Sequence, residues 1–282
     1  MMPRLNIARK LATWLGFSLI YAVAITLLVE RLQLPVWRPG NEAAAALTAV
    51  LGTLIVFRNN AAYDRWWEAR KLWGTLNNEV RNLALKVRAH VEADASELAD
   101  FSRLLVGFAH ALRMHLRGET TVRQVPGFEK EPTTFSHAPG YIAGRVHQAL
   151  DRWNREGRLK ESLWILDQHA RSLMDVSGAC ERIRTTPAPS SYRALLRIGM
   201  ILYVILAPWA VAMEIGWWAP LVTGVAMVFL LGMELIGETV EEPFGVEGDD
   251  LPLESYCETI ERFVRSALED PAALPEPSPT LV

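Results

Sequence analysis

Between residues 43 and 71 the chain changes abruptly from apolar to polar residues, and no residue in this segment signals the end of a helix. The charge-free apolar run from Ala43 to Phe57 has fifteen residues, and a polar helical pattern follows it directly. At about 1.5 Å per residue the apolar run covers roughly 22 Å, which is less than the roughly 30 Å hydrocarbon core of a bilayer. We therefore predict one continuous helix that starts in lipid and extends into water, with protein around it or one face against water.

Helical geometry divides this segment into two faces. Small or polar residues lie within about 60° of Phe57 around the helix axis: Ala46, Val50, Thr53, Asn60, Ala61, Asp64, Glu68 and Thr75. Bulky side chains that suggest packing fall on the opposite face: Tyr63, Trp66, Arg70 and Trp73. We interpret the first face as the lining of a water-filled lumen. The alternative is that Asp64, Arg65 and Glu68 form the solvated surface of a cytosolic helix.

Three further charge-free segments are long enough to cross a bilayer: Leu11 to Val29, Ile198 to Met213 and Ile215 to Met233. We predict an all-α membrane protein with four transmembrane helices, at about 11–29, 43–60, 195–213 and 215–234. Half of the 282 residues are hydrophobic, which is high for a soluble chain but low for a protein made of spans alone. A helical cytoplasmic region, at about 61–194 and 235–270, is the expected remainder.

Basic residues flank the predicted spans on one side of the membrane: Arg4, Arg9 and Lys10 before the first, Arg58, Arg65, Arg70, Lys71 and Arg81 after the second, and Arg182, Arg184, Arg193 and Arg197 before the third. Such flanks are typically cytoplasmic, so both chain termini are expected in the cytoplasm. A cleaved signal peptide is the alternative for the first segment. We favour a retained span, because no small-residue cleavage site is followed by a mature soluble domain.

The region between the span pairs has apolar residues at helical spacing over 76–91, 95–116 and 143–184. Three prolines interrupt the loop at 118–140, and four prolines mark residues 271–282 as a disordered tail. The two cysteines, Cys180 and Cys257, fall in predicted cytoplasmic segments, so no disulfide is expected. A net charge of −3 gives no reason to expect a nucleic-acid partner.

Catalytic chemistry has little support in the sequence. The six histidines show no metal-ligand spacing, and neither a nucleophile elbow nor a phosphate-binding loop is present. We therefore expect neither an enzyme nor a bound cofactor.

Three blocks carry a resemblance to a known family: Phe57 to Arg70 with Leu72-Trp73-Gly74, Cys180 to Ile183 with Thr186 to Pro189 and Tyr192, and Glu241 to Gly245 with Asp249 to Leu253. In this order they resemble the bacterial branch of the bestrophin family. The resemblance implies a homopentameric ion channel of the bacterial inner membrane, formed by residues 1–270 as a single domain around a central pore. It also implies four spans per subunit, a narrow neck lined by the second helix, and a cytoplasmic vestibule that ends in a second constriction.

The resemblance places the neck at positions four apart that end at Phe57, namely Ala49, Thr53 and Phe57, whereas the helical wheel favours Val50 over Ala49. The necks of the family carry three bulky hydrophobic side chains, whereas in this chain only Phe57 is bulky at these positions. One ring of phenylalanines is expected to be a weaker hydrophobic barrier than three such rings. Below it, Asn60, Asp64 and Glu68 are expected to face the lumen. The second constriction is expected at Leu163 or Trp164, with a buried packing tryptophan as the alternative for Trp164.

Two acidic groups follow the fourth span. Glu247, Asp249 and Asp250 match the block that forms a calcium clasp in animal bestrophins, so a calcium site is one interpretation and a solvated turn is the other. Four glutamates share a helix face at the membrane edge, where carboxylates are often functional or paired with Arg or Lys: Glu234, Glu238, Glu241 and Glu242.

The ion is predicted from the charges on the lumen face. Five-fold repetition turns Asp64 and Glu68 into two acidic rings, partly offset by Lys71, and such rings concentrate cations. The bacterial bestrophins that the chain resembles are cation channels. We therefore expect conduction of monovalent cations, with sodium favoured. An anion (chloride) channel of the same fold and a non-conducting membrane scaffold are the alternatives.

Overall fold

The computed structural model describes residues 3–32, 41–119, 121–131, 137–159, 163–187, 189–246 and 248–270. Within these ranges the chain is helical and contains no β-strand, which confirms the all-α prediction for the described part. The helices are α1 (Pro3–Leu32), α2 (Asn41–His90), α3 (Ala95–Leu116), α4 (Ala138–Arg155), α5 (Trp164–Thr185), α6 (Ser190–Ile215), α7 (Ala219–Val240) and α8 (Leu253–Glu269). The predicted tail at 271–282 and the candidate calcium ligand Glu247 lie outside the described residues.

The second helix is continuous, as its sequence predicts. α2 has 50 residues, which at the standard rise is about 75 Å of helix. It contains no proline, so no backbone donor is lost and no carbonyl is displaced along its length. The change from apolar to polar side chains therefore takes place on one uninterrupted backbone.

Two predicted boundaries are wrong, and a glycine explains each. The helical pattern over 143–184 divides into α4 and α5, because Gly157 adopts a left-handed φ of 69° soon after α4 ends. The predicted span at 215–234 begins too early, because Gly216 has a φ of 53° and ends α6 at Ile215. A short 3₁₀ turn, Gly216–Trp218, then leads into α7.

The chain forms two compact units. The first consists of Met1–Trp66 and Pro187–Asp250 and contains α1, the first part of α2, α6 and α7. In it α1 packs on α6 and α7, and Leu51 of α2 packs with Tyr203 and Ala207 of α6. Gly199 lies so close to Leu51 that a Cβ would be 2.4 Å from that side chain, a spacing that permits close helix contact.

The second unit consists of Trp67–Thr186 and Leu251–Val282. Its α3 packs on α4 and α8, and its largest buried side chains include Trp73, Phe101 and Trp153. α3 begins with a capping box between Asp94 and Glu97. Cys180 and Cys257 are buried and free, and burial raises the pKa of each thiol to about 12.

Three described segments are long and apolar enough to cross a membrane by length and composition: Leu11–Arg31, Ala45–His90 and Trp164–Val240. The third contains α6 and α7 as separate helices. The four predicted spans therefore correspond to α1, the first part of α2, α6 and α7, and their number stays a prediction.

Candidate functional site: the exposed face of α2

The predicted neck residues lie together on an exposed face of α2. Val50 is 56% exposed and Phe57 is 63% exposed, and Ala49 and Thr53 are exposed between and beside them. Buried residues alternate with them on the other side of the helix: Leu51, Ile55, Arg58 and Ala62. α2 therefore packs by one face and leaves the predicted lumen face uncovered within the single chain.

The hydroxyl of Thr53 donates a hydrogen bond to the backbone of its own helix. Its Oγ1 donates to the carbonyl oxygen of Ala49 over 2.8 Å. This bond to the preceding turn is common for threonine in helices and holds the side chain in one orientation.

The polar residues below the neck differ in their pairing. Asn60 and Asp64 are exposed, and Asp64 forms no ion pair with any residue that the structure describes. Glu68 is paired in the second unit, where Arg182 of α5 donates from Nη2 to Glu68 Oε1 over 3.0 Å. Arg182 therefore offsets the acidic charge of Glu68, an interaction that the sequence did not indicate.

The buried face of α2 holds a cluster of charged residues. Arg58, one of the basic residues that follow the second predicted span, is 3% exposed and contacts the carboxylate of Glu234 on α7. Its Nη1 also donates to the Glu234 carbonyl oxygen over 3.2 Å, and its Nη2 lies 3.6 Å from Glu241 Oε2. Glu238 lies 3.9 Å from Arg197. The prediction that carboxylates at this membrane edge pair with arginine is confirmed for these three glutamates.

Two of the three sequence blocks that carry the family resemblance, the first and the third, meet in space within the first unit. Arg65 Nε donates to the Glu241 carbonyl oxygen over 3.3 Å, and Trp66 Nε1 donates to the Asp249 carbonyl oxygen over 3.0 Å. Tyr192 donates its hydroxyl to the Leu54 carbonyl oxygen over 2.8 Å. These contacts fix the rotation of α2 about its axis, and hence the side chains that it leaves exposed.

The aromatic face of α2 packs only in part as expected. Trp73 is buried and Trp66 is partly buried, whereas Tyr63 is exposed and stacks on Trp66 with the ring centroids 6.1 Å apart. Arg70, on the same face, lies over the ring of Tyr256 at 5.1 Å. Tyr63 is therefore exposed within the single chain, although its ring stacks on Trp66.

The candidates for the second constriction lie at the start of α5. Trp164 is its first residue and is 69% exposed, and Leu163 precedes it as the N-cap position. Trp164 is therefore not buried within the single chain, and its place in a constriction stays a prediction.

The acidic stretch after α7 shows no preformed calcium cage in its described part. Asp249 and Asp250 belong to no group of three or more metal-ligating side chains among the described residues. The carbonyl oxygen of Asp249 accepts a hydrogen bond from Trp66 instead.

Comparisons with known proteins identify the family. A family model described as Bacterial/Fungal Bestrophin protein matches residues 2–266. A voltage-dependent anion channel-forming protein of Nostoc sp. is 35% identical over 255 residues, which cover 87% of this chain and 82% of that protein. One of Escherichia coli K12 is 30% identical over 271 residues, which cover 91% of this chain and 86% of that protein.

A solved structure agrees with these matches. The chain is similar to a mutant of a bacterial bestrophin homolog from Klebsiella pneumoniae with a TM-score of 0.83 and 26% identity, over 92% of this chain and 98% of that one. The family model, the relatives and the fold therefore agree, and the chain belongs to the bestrophin family of ion channels.

Proposed function

We propose that five copies of this chain form an ion channel in the bacterial inner membrane, with the exposed face of α2 around the pore. One observation carries the proposal: exposed Phe57 shares its helix face with exposed Asn60 and Asp64. A face against lipid suits Phe57 but not the carboxylate two turns later, and a freely solvated face suits Asp64 but not Phe57. A narrow apolar neck that opens into a water-filled vestibule suits both.

The assembly follows from the family resemblance and from the exposed surface of the first unit. A single α2 cannot enclose a lumen, so several copies must surround it. Large apolar side chains stay exposed on α1 and α6, where lipid and neighbouring subunits would cover them: Phe17, Ile20, Ile198 and Ile201. The four spans are α1, the first part of α2, α6 and α7, and both termini are cytoplasmic.

Two constrictions are proposed. Phe57 forms the tightest ring of the neck, with Thr53 and either Ala49 or Val50 on the preceding turns. Trp164, with Leu163 beside it, forms the cytoplasmic constriction. The support for this constriction is that a large aromatic ring at the start of α5 is exposed on the single chain.

Charge on the pore face supports cation conduction. Asp64 repeats five times with no described cation beside it, which makes one ring of carboxylates. Glu68 contributes less than expected from sequence, because Arg182 neutralises it. A ring of fixed negative charge raises the local concentration of cations and lowers that of anions. Monovalent cations, with sodium favoured, are therefore the ions that the geometry supports.

The names of the relatives favour a second candidate. Both the Nostoc and the Escherichia coli proteins are named as anion channel-forming proteins, which fits the chloride alternative better than sodium. Anion conduction by this chain would require that the Asp64 ring lie outside the selective part of the pore.

The deciding experiment measures the reversal potential of the purified channel in planar bilayers under a sodium chloride gradient. We expect a reversal potential near that of sodium, and a shift towards chloride in Asp64→Asn combined with Glu68→Gln. Arg182→Gln should move it the opposite way, because this change frees the carboxylate of Glu68.

The matched control is Glu258→Gln, which removes one exposed carboxylate from α8. It should leave the reversal potential unchanged. A reversal potential at the chloride value in the unmutated protein would establish the second candidate, and absence of flux at equal incorporation would leave a membrane scaffold.

A further inference from the structure

Three metal-ligating side chains meet in the second unit, although nothing in their sequence spacing indicates it. His115 comes from the last turn of α3, His137 from the N-cap of α4 and Glu181 from α5. Their ligand atoms all lie within 4.8 Å of one another, and each residue is partly buried. The sequence argument that no histidine has ligand spacing missed this cluster, because three separate helices bring it together.

The distances suit a small metal ion. A tetrahedral zinc ion with bonds of about 2.0–2.2 Å holds its ligand atoms about 3.3 Å apart. His115 Nε2 lies 3.6 Å from Glu181 Oε1, and His137 Nε2 lies 2.8 Å from the same oxygen. Bringing an ion between them requires the second distance to open by about 0.5 Å.

The imidazole of His115 is otherwise unused. Its Nδ1 is buried without a hydrogen-bond partner, and its Nε2 is beyond hydrogen-bond distance of Glu181. The guanidinium of Arg184 is held at the backbone of this residue, because its Nη1 donates to the His115 carbonyl oxygen over 2.7 Å.

Glu181 is held in place as metal-ligating carboxylates usually are. Ser177, one turn earlier on α5, donates its hydroxyl to Glu181 Oε1 over 2.8 Å. Outer hydrogen bonds of this kind orient a ligand and are part of most metal sites.

Metal binding must move one proton within the ring of His137. The amide of Gly140 donates to His137 Nδ1 over 2.9 Å, so a neutral His137 carries its proton on Nε2, which points at Glu181. To bind an ion through Nε2, the ring must move this proton to Nδ1 and give up the Gly140 bond. That loss is small beside the free energy of a zinc ion held by three protein ligands.

We infer that His115, His137 and Glu181 form a binding site for a divalent transition-metal ion, zinc in the first place, which ties α3, α4 and α5 together. Two imidazoles and one carboxylate are a ligand set that zinc uses widely, with a fourth position left for water. The site is independent of ion conduction, because none of its residues belongs to the proposed neck or constrictions.

The test is calorimetric titration of Zn²⁺ into the full-length protein in detergent after treatment with a chelator. One zinc ion per chain is expected. His115→Ala and Glu181→Gln should each weaken binding by more than about tenfold, and Ser177→Ala by about tenfold, as for an outer ligand partner. His137 is left intact because its loss would also uncap α4.

The control is His147→Ala, which removes a partly exposed histidine of α4 that lies 3.8 Å from Asp167, and it should leave zinc affinity unchanged. Gel filtration establishes that each variant keeps the elution volume of the native assembly. A second measurement uses the native protein and therefore does not depend on whether a variant folds. With Co²⁺ bound, the native protein should show the visible absorption of tetrahedral cobalt. Equal zinc affinity in the native protein and His115→Ala, or no binding to the native protein, would overturn the site.

Discussion

Replacing Arg58 by methionine tests the buried charge cluster that holds α2 against α7. The change keeps an unbranched side chain but removes the guanidinium that contacts Glu234 and lies 3.6 Å from Glu241 Oε2. Arg58, Glu234 and Glu241 are 3%, 6% and 4% exposed, so water cannot replace the lost partner. Arg58→Met therefore leaves buried carboxylate charge without its cation.

The expected loss is large. Removing one partner of a buried ion pair costs about 3–5 kcal/mol, because the remaining charge stays desolvated. A loss of this size lowers the melting temperature by about 10 °C in a chain of this length. Glu241 is a second buried carboxylate that loses the same cation, so the expected loss of stability lies in the upper part of this range. Arg65, a cation that bonds the Glu241 carbonyl oxygen, limits the loss.

The assay is thermal unfolding of the detergent-solubilised protein, followed by tryptophan fluorescence. Arg197→Met is the matched control, because Arg197 and Glu238 are 3.9 Å apart with side chains 65% and 48% exposed. An exposed pair contributes about 0–1 kcal/mol, so this control should melt within about 3 °C of the native protein.

A double variant separates lost charge from lost packing. Arg58→Met with Glu234→Gln removes both charges and should recover a large part of the stability. If Arg58→Met melts as Arg197→Met does, the buried cluster does not stabilise α2, and the argument from burial is refuted.

Two further predictions address the pore and the pH dependence. Phe57→Ala should raise ion flux into liposomes, because a wider and less apolar ring wets more easily, whereas the neighbouring Val56→Ala should not; unchanged flux at equal incorporation would place the barrier elsewhere. The guanidinium of Arg158 lowers the pKa of Glu97 from 4.5 to about 2, so this ion pair stabilises the fold above pH 4.5 and the contribution disappears as the pH falls towards 2. Arg158→Gln should flatten the decline of the melting temperature over that interval, and an unaltered decline would assign it to other carboxylates.

Periodicity within one helix was sufficient to predict α2 and its exposed face. Val50, Thr53 and Phe57 relate to one another through helix geometry alone, so no tertiary information is needed to place them on one side. The sequence argument missed the division between α4 and α5, because apolar residues at helical spacing continue across it. Gly157 was a signal in the sequence that could have indicated the end of α4.

Pairing between distant residues was beyond the sequence argument. Arg58 and Glu234 are 176 residues apart, and Glu68 and Arg182 are 114 residues apart. Hydropathy ranks every arginine as a surface cation, so it cannot separate a buried ion pair from a basic flank. The family blocks held a usable signal, because Arg58, Glu68, Arg182 and Glu241 all lie in them.

The bond from Thr53 to the Ala49 carbonyl has a consequence for the ions that pass it. A hydroxyl has one proton to give, and at Thr53 that proton is already given to the backbone. In the proposed pore, five such hydroxyls offer a passing ion lone pairs but no hydrogen. Lone pairs can replace water around sodium, whereas chloride needs donors. An uncharged ring of threonines would thus discriminate by the direction of its hydrogen bonds.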